Sequence, residues 1–363
     1  MPVGPNDLKQ FTLPATWDAA YLERYRLADG VTYDQLVADI GTGLTLANAD
    51  LLRDPLLSSL VSTTTEIALE YRVGVTNGFQ EHTEYSRPDA GRGATSGHML
   101  PLKGYDRGLG WTWDFLRKAR RMQIDADIAA AMQDLRDLFA RTVLTRLFRS
   151  TFEPVGAGRS VPLADGGVAD ANYVPLPYPD RGGTFTSAHT HLAFLDGIIQ
   201  ANLETAVAHV WEHGYDAPYD LLIAQADIAS WTNTANVTGF VPRPDPLLRY
   251  GATADLANVS TEYIGAVETD YGACRMRVSG RVPTGYWAVY KSYGAMDDRN
   301  PLKVRLDPTV GQTIARLLAG DHIREFPLEN AILFAEFGVG VADRVSAIVV
   351  RNDAAAYVNP VIS

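Results

Sequence analysis

Between Asp125 and Thr151 the chain shows its clearest periodicity. Ile124, Ile128, Ala131, Leu135, Leu138, Thr142 and Leu147 recur at spacings of three to five, which places them on one face of a helix. Asp125 and Asp127 stand at its start and Arg141, Arg146 and Arg149 near its end, the charge order that a helix dipole favours. At 1.5 Å per residue such a helix is roughly 40 Å long, beyond the usual globular length, so other elements must be braced along it. A second amphipathic stretch, Thr190 to His213, sets Leu192, Leu195, Ile199, Leu203, Ala206 and Val210 on one face, with Gly214 as its C-terminal stop. Period-two alternation appears at Ile67, Leu69, Tyr71 and Val73. A polar, Gly-containing stretch follows from Thr76 to Gly97, and Met99, Leu100, Leu102 and Tyr105 resume an extended pattern up to Trp111 and Trp113. This predicts a long two-stranded excursion whose polar tip exceeds ordinary hairpin loops.

The remaining text predicts shorter pieces. Pro14, Gly30, Gly41, Gly43 and Pro55 interrupt the first sixty residues, which read as an arm of short helices and not a domain. Gly and Pro between Glu153 and Thr186 predict loops and short edge strands. Tyr219 to Ala224 reads as a buried strand and Gln225 to Trp231 as a short helix. Thr261 to Lys291 reads as several strands joined by tight turns at Gly265, Gly272, Gly280 and Pro283–Gly285, Gln312 to Leu318 as a short helix, and Ala331 to Val350 as two strands around Gly338 and Gly340.

Composition narrows the function classes. With 363 residues, 46% hydrophobic and 21% charged, the chain has the make-up of a folded globular protein of one or two compact units. Lys and Arg total 32 against 43 Asp and Glu, a formal net charge of −11 without any basic block, which argues against a dedicated nucleic-acid module. Cys274, the single cysteine, cannot form an intrachain disulfide or a Cys-rich zinc module. A secretory leader pattern and apolar runs of membrane-spanning length are missing from the sequence, so a soluble chain, cytosolic at synthesis, is expected.

Candidate chemistry is sparse. His209 and His213 are four apart, a spacing that can bind zinc, and His189 and His191 lie upstream. The motif with Glu directly after the first His is absent, and the polar rim of an amphipathic helix is the better reading, so no metal is assigned. Asp165, Asp170 and Asn172 lack calcium-loop spacing and read as turn residues. Asp297, Asp298 and Arg299, just before Pro301, read as an exposed turn with a local ion pair. A nucleophile elbow, a phosphate loop and a dinucleotide fingerprint are all missing, so neither cofactor nor catalytic set is assigned and a non-enzyme is expected. A soluble α+β hydrolase would have to build its site from His191, Asp196 and a distant nucleophile.

The order of elements, an arm, a long extended excursion, one exceptional helix, a mixed unit and a strand-rich unit before a C-terminal strand, resembles the major capsid proteins of tailed bacteriophages, the Hong Kong 97 fold. The resembling text is strongest in the last third: Tyr263-Ile-Gly-Ala, Cys274 to Trp287 with its Pro-Thr-Gly turn, Asn300 to Arg305, Phe334 to Val341, and Ala342 to Arg351, where Arg344 precedes the final strand. The resemblance implies an α+β fold divided into an N-terminal arm (1–65), an extended loop (66–123), a spine helix with peripheral domain (124–231), an axial domain (232–344) and a C-terminal return to the peripheral domain (345–363). It implies self-assembly through hexamers and pentamers into an icosahedral shell in the host cytoplasm. The virion so formed packages double-stranded DNA, contacted non-specifically, and has no membrane. Portal, scaffolding or protease proteins and a decoration protein are the implied partners; a long charged segment before the arm is missing, so fused scaffolding is expected to be cleaved, absent or separately encoded. Arg87, Arg92, Lys103, Arg107, Asp297, Asp298 and Arg299 are the candidate inter-subunit residues. Some relatives weld Lys to Asn beside a Glu. Lys103, Asn330 and Glu329 supply those types here, but an electrostatic role for Lys103 and a non-covalent shell are expected. An encapsulin-like nanocompartment shell is the alternative from the same fold.

Overall fold

The computed structural model describes residues 27–73, 94–112, 115, 118–155, 158–165, 173–182, 185, 189–243, 263–309, 313–318 and 328–362. In chain order they form helices α1 (Tyr33–Arg53) and α2 (Pro55–Leu60), strands β1 (Val61–Thr64), β2 (Ala68–Val73), β3 (Ala94–Met99) and β4 (Lys103–Thr112), and the long helix α3 (Arg121–Phe148). Strands β5 (Glu153–Val155), β6 (Gly158–Ser160) and β7 (Leu192–Phe194) lead to α4 (Gln200–Trp211), β8 (Tyr219–Ala224) and the single turn α5 (Ile228–Trp231). Strands β9 (Phe240–Pro242), β10 (Tyr263–Thr269), β11 (Gly272–Ser279), β12 (Tyr286–Tyr290), β13 (Leu302–Leu306), β14 (Ala315–Leu318), β15 (Leu328–Val341) and β16 (Ala347–Arg351) follow.

Helix α3 has 28 residues and is about 42 Å long. Its first half buries a single stripe, Ile124, Ala131 and Leu135, as the sequence pattern predicts. Its second half buries Phe139, Ala140, Val143, Leu144, Leu147 and Phe148, which lie on more than one face, so that part is enclosed. Phe139 packs edge-on against Phe337 of β15 at 5.4 Å, and Tyr105 of β4 meets the same ring at 5.4 Å. Arg146 is buried in the last turn because its guanidinium serves carbonyls that the helix end leaves open: it donates to Arg149 O at 2.8 Å, Thr151 O at 3.0 Å and Ser160 O at 3.3 Å.

The expected arm of short helices is instead a 21-residue helix, α1, laid along α3. Thr32 and Gln35 cap it reciprocally, and Ile40, Leu44, Ala47 and Leu51 bury one face. Gly41 and Gly43 do not break it, since each faces open space. Two interior glycines cost about 2 kcal/mol together, and burying Leu44 and Leu51 contributes more. Asn48 explains a second departure, within the expected helix Gln312 to Leu318, where Ala315–Leu318 form strand β14. Its side-chain oxygen accepts from Ile314 N (3.1 Å) and Ala315 N (2.8 Å), and its amide donates to Ala315 O at 2.9 Å, a side-chain substitute for a strand edge.

Strand β15 is the axis of a five-stranded sheet. One edge carries β13 and then β14, and the other pairs with the whole length of β4. Strand β1 pairs parallel to β13. Gly338 and Gly340 lie inside β15 and do not end it. A Cβ on Gly338 would meet the Pro101 carbonyl oxygen, and one on Gly340 would meet the Leu100 side chain, so both glycines admit the chain that enters β4.

The second sheet has seven strands in the order β7-β16-β12-β8-β11-β10-β9. All six residues of β8 are buried because both sheet faces are covered. Leu222 and Ala224 point into the core shared with α3, while Leu221 and Ile223 point into a second core with α4, Trp231 and Trp287. Buried Asp220 is paired with Arg275 at 2.6 Å and Arg277 at 3.0 Å on neighbouring β11. Pairing groups the segments differently from the division at 231/232 and 344/345. Strand β16 joins the seven-stranded sheet, while β13, β14 and β15 share the five-stranded sheet, whose β15 lies against α3. The predicted helix from Thr190 begins only at Gln200, because Leu192 to Phe194 pair with β16 and Gly197, at φ +88°, turns the chain before it.

The glycine reading has a direct check. Gly338→Ala is expected to destabilise the chain by about 1–3 kcal/mol, seen as a lowered thermal midpoint. Gly108→Ala, on the paired strand β4 where nothing lies within 4 Å, is expected to leave the midpoint unchanged or raise it. Equal effects of the two would refute the close approach at Pro101.

Candidate functional site

The hairpin β2–β3 stands apart from the two large sheets. Six residue pairs, Ala68↔Met99 to Val73↔Ala94, form a two-stranded sheet separate from the two large ones, and residues 74–93 between them lie outside the described residues. At its root Ile67, Ala68, Glu70, Gly97 and Met99 are exposed, while Leu69 and His98 turn inward. Burial first, then the charges of Arg344 and Arg146, hold His98 down at about 4, so its ring is neutral at neutral pH. Leu100 N donates to Ile67 O at 2.7 Å and Arg305 donates to Leu100 O at 2.6 Å, which closes the root and fixes it to β13. The sequence pattern extended the excursion to Trp113. The structure ends it at Met99 and turns Lys103 to Thr112 into β4 of the five-stranded sheet. A two-stranded ribbon is at best marginally stable in water and needs a surface to lie on.

The candidate inter-subunit residues separate into three groups. Arg87 and Arg92 lie outside the described residues. Lys103 stands opposite Phe337, at the far end of the β4–β15 ladder from Asn330, and lines a 220 Å³ cavity with Arg141, Arg146 and Arg149. Arg107 is engaged by Asp134 of α3 within its own chain. Asp297 and Arg299 form a two-pronged pair at 2.9 and 3.0 Å, which draws the Asp297 carboxyl down to about 2, and Arg299 also lies 4.0 Å above the Tyr293 ring. Asp298 pairs with Lys303. This turn is the local ion pair that its residue types suggested. Asn300 anchors it, fully buried, by donating to Gly294 O at 2.8 Å and to Ser58 O and Val61 O at 3.2 Å.

The histidines depart from the sequence reading. His213 is not on a polar rim: its side chain is 2% exposed and His191 is fully buried. Burial, the largest cause in each, pushes His213 down to about 3, His191 well below the usual imidazole range and His189 below its ordinary value. His191 contacts the Ala347 carbonyl, His189 and His213, while Asp196 is on an exposed turn, so the structure does not bring the hydrolase pair together. A signal was available: His209-Val-Trp-Glu212-His213 has His-x-x-Glu-His spacing, the reverse order of the zinc-protease motif. Among the described residues no helix is long and apolar enough to cross a membrane.

No protein family matches the sequence, and no curated protein does. Solved structures do match. A protein of Mycobacterium phage Patience is 20% identical over 96% of this chain and 97% of its own, with a TM-score of 0.64. The mature capsid of bacteriophage PhiM1 is 12% identical over 82% of this chain and 87% of its own, TM-score 0.48. The SrpI encapsulin of Synechococcus elongatus is 13% identical over 84% and 89%, TM-score 0.47. The phage Patience likeness runs end to end, and the fold is the α+β, Hong Kong 97-like fold that the element order implied.

The hairpin can be excised cleanly, because Ile67 O and Leu100 N already make the hydrogen bond that closes a two-residue turn. Replacing residues 68–99 with Asn-Gly is expected to leave a soluble subunit with a cooperative melt but no large particles in sedimentation. Particles of normal size from this variant would show that the hairpin is not an assembly contact.

Proposed function

We propose that this chain is the major capsid protein of a tailed bacteriophage, a subunit that assembles with copies of itself, through hexamers and pentamers, into an icosahedral shell around double-stranded DNA. The observation that carries the proposal is the end-to-end likeness to a phage protein at fold level, in a chain with a two-stranded hairpin separate from both large sheets. In this reading β2–β3 is the extended loop that lies over a neighbouring subunit. Helix α3 and the five-stranded sheet form the peripheral domain, and the seven-stranded sheet with α4 and α5 forms the axial domain. The turn at Asp297 to Arg299 and the basic cavity at Lys103 face neighbours, the latter suited to a partner carboxylate. A net charge of −11 suits a wall that encloses DNA without gripping it. The subunit is a structural protein of the virion, not an enzyme, made and assembled in the host cytoplasm with portal, scaffolding or protease partners and, on the finished surface, a decoration protein.

Electron microscopy of the purified full-length chain, with sedimentation velocity, tests this reading. Closed shells or ring-shaped capsomers are expected, and boiling in detergent is expected to return them to a single-chain band, since the contacts are non-covalent. A monomer or small oligomer at all protein concentrations would contradict the proposal. Shells that enclose a co-purified enzyme and not nucleic acid would replace it with the nanocompartment reading.

A further inference from the structure

Three imidazoles from two separate segments converge on one point. His189 and His191 arrive on the stretch that leads into β7. His213 arrives just past the C-terminus of α4, where Gly214, at φ +94°, reverses the chain. The three Nε2 atoms form a triangle: His189 to His191 at 3.0 Å, His189 to His213 at 2.9 Å and His191 to His213 at 2.9 Å. The Phe185 ring stacks on His213 at 4.5 Å and meets His189 edge-on at 4.6 Å, an apolar wall that fixes both rings.

Hydrogen bonding alone cannot satisfy this triangle. A neutral imidazole nitrogen either carries a proton and donates or carries a lone pair and accepts. Three nitrogens in mutual contact share two roles, so at least one of the three contacts sets proton against proton or lone pair against lone pair. One role is already fixed: His191 Nδ1 lies 2.9 Å from the Ala347 carbonyl oxygen, which can only accept, so that nitrogen carries the proton and Nε2 presents its lone pair to the triangle. A cation at the centre removes the conflict by accepting all three lone pairs. The Ala347 carbonyl then has the role that an outer partner plays for a metal-bound histidine, orienting the ring and raising its basicity.

We propose that His189, His191 and His213 bind a divalent transition-metal ion of the zinc class, with Glu212 as the fourth ligand. Tetrahedral zinc with bonds of 2.0–2.1 Å sets ligand nitrogens about 3.3 Å apart, so the triangle needs to open by only a few tenths of an ångström. Glu212 Oε1 lies 3.9 Å from His189 Nε2 and 4.0 Å from His213 Nε2, and its carboxylate would swing inward to complete the set. His209 Nδ1 lies 3.2 Å from the same oxygen, close enough to steer the carboxylate once an ion binds. Three nitrogens and one carboxylate oxygen close the coordination sphere, as in structural and not catalytic zinc sites. The ion would tie the end of α4 to edge strand β7 and, through Ala347, to β16, bracing the margin of the seven-stranded sheet. Such a brace is independent of whether the chain forms shells.

The test uses the full chain without a histidine tag, incubated with equimolar zinc and passed through gel filtration, with bound metal read by mass spectrometry. About one zinc per chain is expected, together with a thermal midpoint that falls on chelation and recovers on zinc addition. Cobalt(II) in place of zinc is expected to give the strong visible absorption of a tetrahedral site. His213→Ala is expected to lower occupancy by at least about tenfold, and because its side chain is buried and its loss could impair folding, the more exposed His189→Ala is measured beside it, with the same expectation. His209→Ala is expected to keep the tetrahedral spectrum while weakening affinity. Wild-type protein that retains no zinc after gel filtration and melts identically with zinc or chelator would overturn the proposal. So would full occupancy in both ligand variants.

Discussion

A β-sheet stands in water only if it has something to cover its apolar face, and among the described residues the two large sheets find that cover within the chain. Strand β8 is the extreme case, buried on both faces between the α3 core and the α4 core. The five-stranded sheet lies against the enclosed half of α3, where Phe139 and Phe337 interlock. The hairpin β2–β3 is the exception. It leaves the body between β1 and β4 as a two-stranded ladder separate from both large sheets, exposed on one face at its root. In the proposed capsid reading, that cover is a neighbouring copy of the chain.

Several of the polar groups that the body buries serve junctions between elements, two of them at the root of that hairpin. Arg146 serves carbonyls at the end of α3, Arg344 donates to Pro162 O at 3.0 Å just before β16, and both charges lie near His98 at the hairpin root. Asn300 and Asn48 do the same with neutral amides at the α2–β1 junction and the edge of β14. A buried group of this kind contributes modestly while paired and is costly to orphan, so these joints hold their geometry firmly. The projecting ribbon therefore springs from a rigid root.

Periodicity made the long helix legible because its first half buries one stripe, and it made β8 and the strands from Tyr263 to Tyr290 legible because tight turns separate them. What escaped the sequence depended on partners distant along the chain. Helix α1 survives two glycines because Leu44 and Leu51 find a core supplied by α3, and β14 is a strand because Asn48, more than 260 residues earlier, pairs with its backbone. The swap of β16 into the seven-stranded sheet follows from pairing with β12, which no local pattern encodes. Of the candidate contact residues, the Asp297–Arg299 pair was readable because its partners are two apart. Lys103 and Arg107 were placed on the wrong element because an extended pattern does not say which strand it will pair with. The histidine triangle was missed for the same reason: its members come from segments more than 20 residues apart and meet only when β7 takes its place beside β16.

The central claim is that the hairpin completes its burial on a neighbouring subunit, and amide hydrogen exchange compared between assembled particles and dissociated subunits measures this directly. The account predicts that amides of residues 68–73 and 94–99 slow by at least about tenfold on assembly, while those of β8, already buried on both faces, exchange equally in the two states. Equal exchange of the hairpin amides in particles and in subunits would contradict it.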